Sequence, residues 1–159
     1  FWKNHFDANA KHIGIVCSGS KTHKEDSSRS IPLAFFEEIL NLPYQFHLIQ
    51  KEIRDVDLIS AEKLPIKIYT DDIQDFSDTA AMIECMDLII SVDTSVVHMA
   101  GALGKPVWIL NRFDTDWRWF LDRTDSPWYP SATIFNQSNP EDWDTVIENV
   151  REKLGGLTR

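Results

Sequence analysis

An open, mostly parallel α/β sheet of about six strands, with helices on both faces, is the fold class that this 159-residue sequence predicts. Three observations predict it. Short apolar runs of four or five residues recur at 13–17, 46–49, 66–69, 88–92, 107–110 and 132–135, and those at 88–92 and 107–110 have the composition of buried parallel strands. Segments with helical spacing or helix-start residues separate most of them. Two of the runs pass directly into turn and cap residues, Ser18-Gly19-Ser20 and Asp93-Thr94-Ser95, as parallel strands do when they hand over to a helix.

In chain order, residues 1–11 hold little core material and read as a linker or residual edge, and residues 12–159 read as a single domain. The first strand, 13–17, runs into a long loop that ends at Ser30, a suitable N-cap for a helix over 31–40 with Pro32 in its first turn. The second strand, 46–49, ends in Gln50-Lys51. Residues 52–65 are polar and read as loop or a ragged helix. The third strand, 66–69, is followed by Asp71 and Asp72, read as solvated. Residues 75–86 read as an amphipathic helix capped by Asp75 or Ser77, with Phe76, Ala80, Ile83 and Asp87 near one face and Met82 and Met86 as core filler.

The segment 87–110 is the clearest unit: strand, tight turn, short helix, strand. Thr94 or Ser95 can cap the helix, Gly104 stops it and Pro106 prevents its continuation. A Gly at 101, inside that helix, indicates close packing. Residues 111–130 follow the fifth strand and concentrate Trp117, Trp119, Trp128 and Tyr129 among arginines and aspartates, a composition that suits either a recognition surface or a covering loop fixed by Arg–Asp pairs. A sixth strand, 132–135, precedes a last helix, for which Asn139 is the cap, Pro140 the first position and Trp143, Val146, Ile147 and Val150 the apolar stripe.

The formal net charge of −9 argues against nucleic acid or an anionic membrane surface as partner. No apolar run has the length of a membrane span, and no signal-peptide pattern is visible at the start. The chain opens at Phe1 rather than Met, as a fragment of a larger protein would. Cys17 and Cys85 both fall in apolar segments, which suits a reducing, cytoplasmic setting, and neither cysteines nor histidines show metal-ligand spacing.

A strand feeding a helix start presents free N–H groups and the positive end of the helix dipole at the carboxyl edge of the sheet. His98, one turn into the helix, lies close enough to add a donor. Locally, Asp93-Thr94 reads equally well as a plain cap and His98 as a satisfied, half-buried histidine. The 18–30 loop offers Gly19 for close backbone approach and, after it, several hydroxyls and basic or imidazole side chains as a phosphate cradle, or else is a solvated loop. Gln50 and Lys51, at the end of the second strand, read locally as surface residues. Arg118 can reach a phosphate or sugar, and Trp117 or Trp119 can stack on a sugar ring or cover the helix beneath.

The string Asp93-Thr94-Ser95-x-x-His98-x-Ala100-Gly101-Ala102-x-Gly104-x-Pro106 resembles the donor-site signature of the heptosyltransferases, glycosyltransferase family 9 of the GT-B fold. Ser95 or Val96 stands where that family commonly has Gly, and Arg29 where Lys is frequent. Trp117-Arg118-Trp119 and Asp125-Ser126-Pro127-Trp128-Tyr129-Pro130 are similar to strings in bacterial proteins that carry tetratricopeptide repeats ahead of a heptosyltransferase-like region.

The resemblance implies a Rossmann-like domain, the C-terminal half of a GT-B enzyme, that binds a nucleoside-diphosphate sugar. It implies an inverting, metal-independent transfer, with no cofactor. His98 and Asp93 would support the chemistry. Ser18, Gly19, Ser20, Lys24, Arg29, Gln50, Lys51, Asp93, Thr94, Ser95, His98 and Arg118 would bind the donor. The general base would lie in an N-terminal half outside this chain, which alone would turn over nothing. A non-catalytic nucleotide-sugar-binding module and a protein-interaction module are the alternatives.

Overall fold

The computed structural model describes residues 2–157. Phe1 and residues 158 and 159, the extremities of the expected linker and domain, lie outside the described residues. Six strands form one sheet: His12–Val16 (β1), Gln45–Leu48 (β2), Ile66–Ile68 (β3), Leu88–Val92 (β4), Val107–Asn111 (β5) and Ala132–Asn136 (β6). Their order is β3-β2-β1-β4-β5-β6, and every neighbouring pair is parallel.

Both faces of the sheet are covered, which explains why its strands read as continuous apolar runs. Every residue of β1, β4 and β5 is buried. Successive side chains go to opposite sides. Leu88, Ile90 and Val92, with Trp108 and Leu110, face a core completed by Glu37–Leu40 (α2), Leu58–Lys63 (α3) and Trp143–Gly156 (α6). Ile89, Val107 and Ile109 face the other core, completed by Phe76–Cys85 (α4) and Ser95–Ala102 (α5).

Where local chemistry decides, the expected elements form. Asp75 caps α4 by accepting from the N–H groups of Ser77 and Asp78. Thr94 caps α5 through Val96. Where distant residues intervene, they do not. Ser30 does not cap a helix over 31–40. The chain makes a 3₁₀ turn at Leu33–Phe36 and then the single turn α2, and the N–H of Leu33 donates instead to Asp57 Oδ1, 24 residues away, at 2.7 Å. The last helix begins at Trp143 with Asp142 as cap, later than the Asn139-Pro140 signal suggests. Phe76 is not core: it is 65% exposed. In the expected linker Trp2 is buried, its ring 5.7 Å from that of Tyr69. No helix of the described residues is long and apolar enough to cross a membrane.

Candidate functional site

Sheet order locates the site. From β1 the chain passes outward to β2, and from β4 it passes the opposite way to β5, so the carboxyl ends of the adjacent strands β1 and β4 flank the point where the connections diverge. Open α/β sheets form their ligand crevice there. The loop after β1 carries the serines and Arg29, and the turn after β4 carries Asp93-Thr94-Ser95. The two meet: Arg29 Nη1 donates to the carbonyl of Asp93 at 2.8 Å.

Two open cavities share that meeting point. One, about 350 Å³, is lined by Arg29, Thr94, Ser95, His98, Arg112 and Arg118 among others. The second, about 400 Å³, shares Arg29, Thr94 and Ser95 and extends past Ser18, Gly19 and Ser20 to Gln50 and Lys51. Its floor is apolar, from Val16, Ile49 and Val96, with Phe76 at its edge.

The first turn of α5 opens onto both cavities. A helix leaves its first N–H groups without intrahelical acceptors. Thr94 Oγ1 takes that of Val96, and Thr94 and Ser95 line both cavities. His98 is held rigidly beside them. Its ring stacks on the buried Trp119 with centroids 5.3 Å apart, and Nδ1 lies 3.0 Å from the hydroxyl of Tyr129. A Cβ on Gly101 would fall 2.3 Å from the Tyr129 ring, so this glycine in α5 makes room for the tyrosine that braces His98. The Tyr129 hydroxyl can serve Nδ1 as donor or acceptor, and in the tautomer with Nδ1 as acceptor the imidazole carries an N–H donor on Nε2.

The serine loop is shaped by ion pairs that the sequence does not advertise. Its short helix Asp26–Arg29 (α1) places the buried carboxylate of Asp26 between Arg29, at 3.3 Å, and Arg54. Burial lowers the pKa of Arg29 from its ordinary value, an effect Asp93 opposes and Arg112 adds to. Such a guanidinium gains from a further negative partner. Arg112, directly after β5, pairs with Glu25 and donates to Ser28 Oγ at 2.8 Å. Arg118 pairs with Asp116 at 2.8 Å.

Most of the expected site residues therefore gather at one rim, with three corrections. Gly19 does not leave space for a ligand: the Arg29 guanidinium lies against it, 2.2 Å from where a Cβ would be. Gln50 is not free to bond a ligand. Its amide oxygen accepts from the Cys17 N–H at 2.9 Å and its amide nitrogen donates to Ser18 Oγ at 3.0 Å and the Glu52 carbonyl at 2.8 Å, which pins the loop instead. Lys24 is exposed and lines neither cavity. Lys51 lines the second cavity while donating to the Gln74 carbonyl at 2.6 Å. Arg112, Glu25, His23 and Asp116 line the first cavity without having been singled out. Arg112 had a signal, since it follows β5 at the same sheet edge where Asp93 follows β4. Cys17, beside Ser18, is inert: burial and the nearby Asp57 push its thiol up to about 12. Among the described residues no cluster of three His, Cys, Asp or Glu side chains is placed to hold a metal ion.

Comparison with known proteins places the chain in a family. The sequence profile of glycosyltransferase family 9 (heptosyltransferase) matches residues 74–154, from α4 through α6 and including the Asp93 turn. The chain belongs to that family. Protein FlbA of Caulobacter vibrioides is 25% identical over 152 residues, covering 89% of this chain and 24% of FlbA. Among solved structures, the E. coli heptosyltransferase WaaC with ADP superposes with a TM-score of 0.63 at 12% identity, over 98% of this chain and 47% of that one. The E. coli ADP-heptose lps heptosyltransferase II does so with a TM-score of 0.59 at 14% identity, over 98% and 48%. The chain thus spans about a quarter of FlbA and about half of each solved enzyme.

Proposed function

We propose that this chain is the donor-binding, C-terminal half of a GT-B glycosyltransferase that transfers sugar from a nucleoside-diphosphate sugar to an acceptor, with inversion and without a metal. The observation that carries the reading is the junction of the serine loop and the Asp93 turn through Arg29 at the start of α5. When a glycosidic bond to a diphosphate breaks, negative charge grows on the departing oxygen, and donors already aimed there lower the barrier. The N–H of Ser95 at the start of α5, the hydroxyls of Ser18, Ser20 and Thr94, the imidazole of His98, and the guanidiniums of Arg29, Arg112 and Arg118 supply such donors. Asp93 orients the turn: its carbonyl holds Arg29.

In this reading the general base belongs to an N-terminal half outside this chain, and the same cytoplasmic polypeptide would carry tetratricopeptide repeats. The isolated chain then binds donor without turning it over. Titration calorimetry with ADP, UDP and GDP tests the reading. Saturable binding of one diphosphate, weakened about tenfold or more in Arg29→Ala or His98→Ala, is expected. Binding of none of the three would leave only the protein-interaction reading. Transfer by the full-length parent separates an enzyme from a non-catalytic binding module.

A further inference from the structure

We propose that Trp117 and Trp128 form the shelf that receives the transferred sugar ring, and that they thereby fix which way round the donor lies. This rests on the donor reading above. A third cavity, about 310 Å³, is lined by His98, Trp117, Arg118, Trp128 and Tyr129. It shares His98 and Arg118 with the first cavity, the first shares Arg29, Thr94 and Ser95 with the second, and the second and third share nothing. The three therefore follow one another along the rim in a fixed order, with the anion-binding residues in the middle. A nucleoside-diphosphate sugar has the same order: base and ribose, two phosphates, sugar.

The two end cavities differ in chemistry, and the difference sets the polarity. The second is floored by aliphatic side chains from β1, α5 and residue 49, with Lys51 beside them. That suits a flat base with ribose hydroxyls at its edge. The third is walled by aromatic rings. A pyranose presents one face of C–H groups, apolar and slightly positive, which matches the electron-rich face of an indole, while its hydroxyls at the edges reach Arg118.

The shelf is assembled before any ligand arrives. The indoles of Trp117 and Trp128 stand edge to face, 6.4 Å apart at 84°. The Trp128 N–H donates to the Arg118 carbonyl at 3.0 Å, and the Arg118 guanidinium lies 5.0 Å over the Trp117 ring. Yet the two indoles remain 67% and 52% exposed, whereas Trp2, Trp108, Trp119 and Trp143 are buried. Holding two large rings in place and in water sacrifices burial that the fold obtains from its other tryptophans.

The test is calorimetric titration of the chain and its Trp117→Ala, Trp128→Ala and Trp117→Phe variants with ADP, UDP and GDP, and with ADP-glucose, UDP-glucose and GDP-mannose. In the wild type one sugar nucleotide binds more tightly than its parent diphosphate, by about tenfold. Both alanine variants lose that increment and keep the affinity for the diphosphate, while Trp117→Phe, which retains an aromatic face, keeps part of it. No increment in the wild type, or an increment untouched in both alanine variants, overturns the shelf and leaves the donor reading standing. Affinity for the bare diphosphate that falls in the alanine variants overturns the polarity, because the base would then lie on the indoles. Failure of every diphosphate to bind the wild type overturns both readings.

Discussion

The two loops that meet at the rim are built on opposite plans. The Asp93 turn is made by its neighbours in sequence: β4 leads in, Thr94 caps α5, and the ring of His98 follows one turn later. The serine loop is made from far away. Gln50 holds its start, Arg54 and Asp26 brace its short helix, Arg112 ties Glu25 and Ser28, and the Asp93 carbonyl fastens Arg29. A locally built loop is robust and readable. A loop built from long-range contacts depends on each distant partner, and its shape must fail when one is removed.

Asp26→Ala breaks this comparison most severely. It leaves two largely buried arginines without their shared carboxylate, for a loss of about 3–5 kcal/mol in urea unfolding, with diphosphate affinity falling as well. The body of the sheet supplies a contrast that the rim does not touch. Burial, with the neighbouring charges of His12 and Lys67, lowers the pKa of His47 to about 3. The unfolded chain therefore binds a proton between pH 6.5 and 3 that the folded chain refuses. Stability conferred by the neutral ring is complete above pH 6.5 and falls through that window by up to about 1.4 kcal/mol per pH unit, and His47→Gln flattens the profile.

Thr94→Ala removes only a cap, for about 1 kcal/mol of stability, and takes one hydroxyl from the diphosphate. Gly19→Ala has the smallest effect on stability. The new methyl meets only the Arg29 guanidinium, which shifts at the expense of its hydrogen bond to the Asp93 carbonyl, so unfolding shifts by about 0.5–1 kcal/mol, while diphosphate affinity measured by calorimetry drops about tenfold. A stability loss for Gly19→Ala as large as that for Asp26→Ala would erase the distinction between a loop's frame and its working tip.

The same division explains what was legible in the sequence. All six strands were, because burial on both faces writes an apolar run into each. The Asp93 turn was, and the caps of α4 and α5 were to within a pair of residues each, because their partners lie close in sequence. The helix over 31–40 was not, because its entry is governed by Asp57, and no local pattern announces a partner 24 residues away. Gln50 was misread for a related reason: a polar side chain at a strand end looks available until the backbone it pins is known. Of the aromatic segment, the concentration of tryptophans was visible, but not which of them would be buried under His98 and which would stand in water. That depends on Phe120, whose φ of 60° turns the chain directly after Trp119.

The most direct measurement of the central claim is a ¹H–¹⁵N NMR titration with the nucleoside diphosphate that calorimetry selects. The amides of Gly19, Ser20, Thr94 and Ser95 should shift together, along one binding curve with one dissociation constant. Shifts confined to one of the two loops, or two curves with different constants, would contradict a single diphosphate held between them.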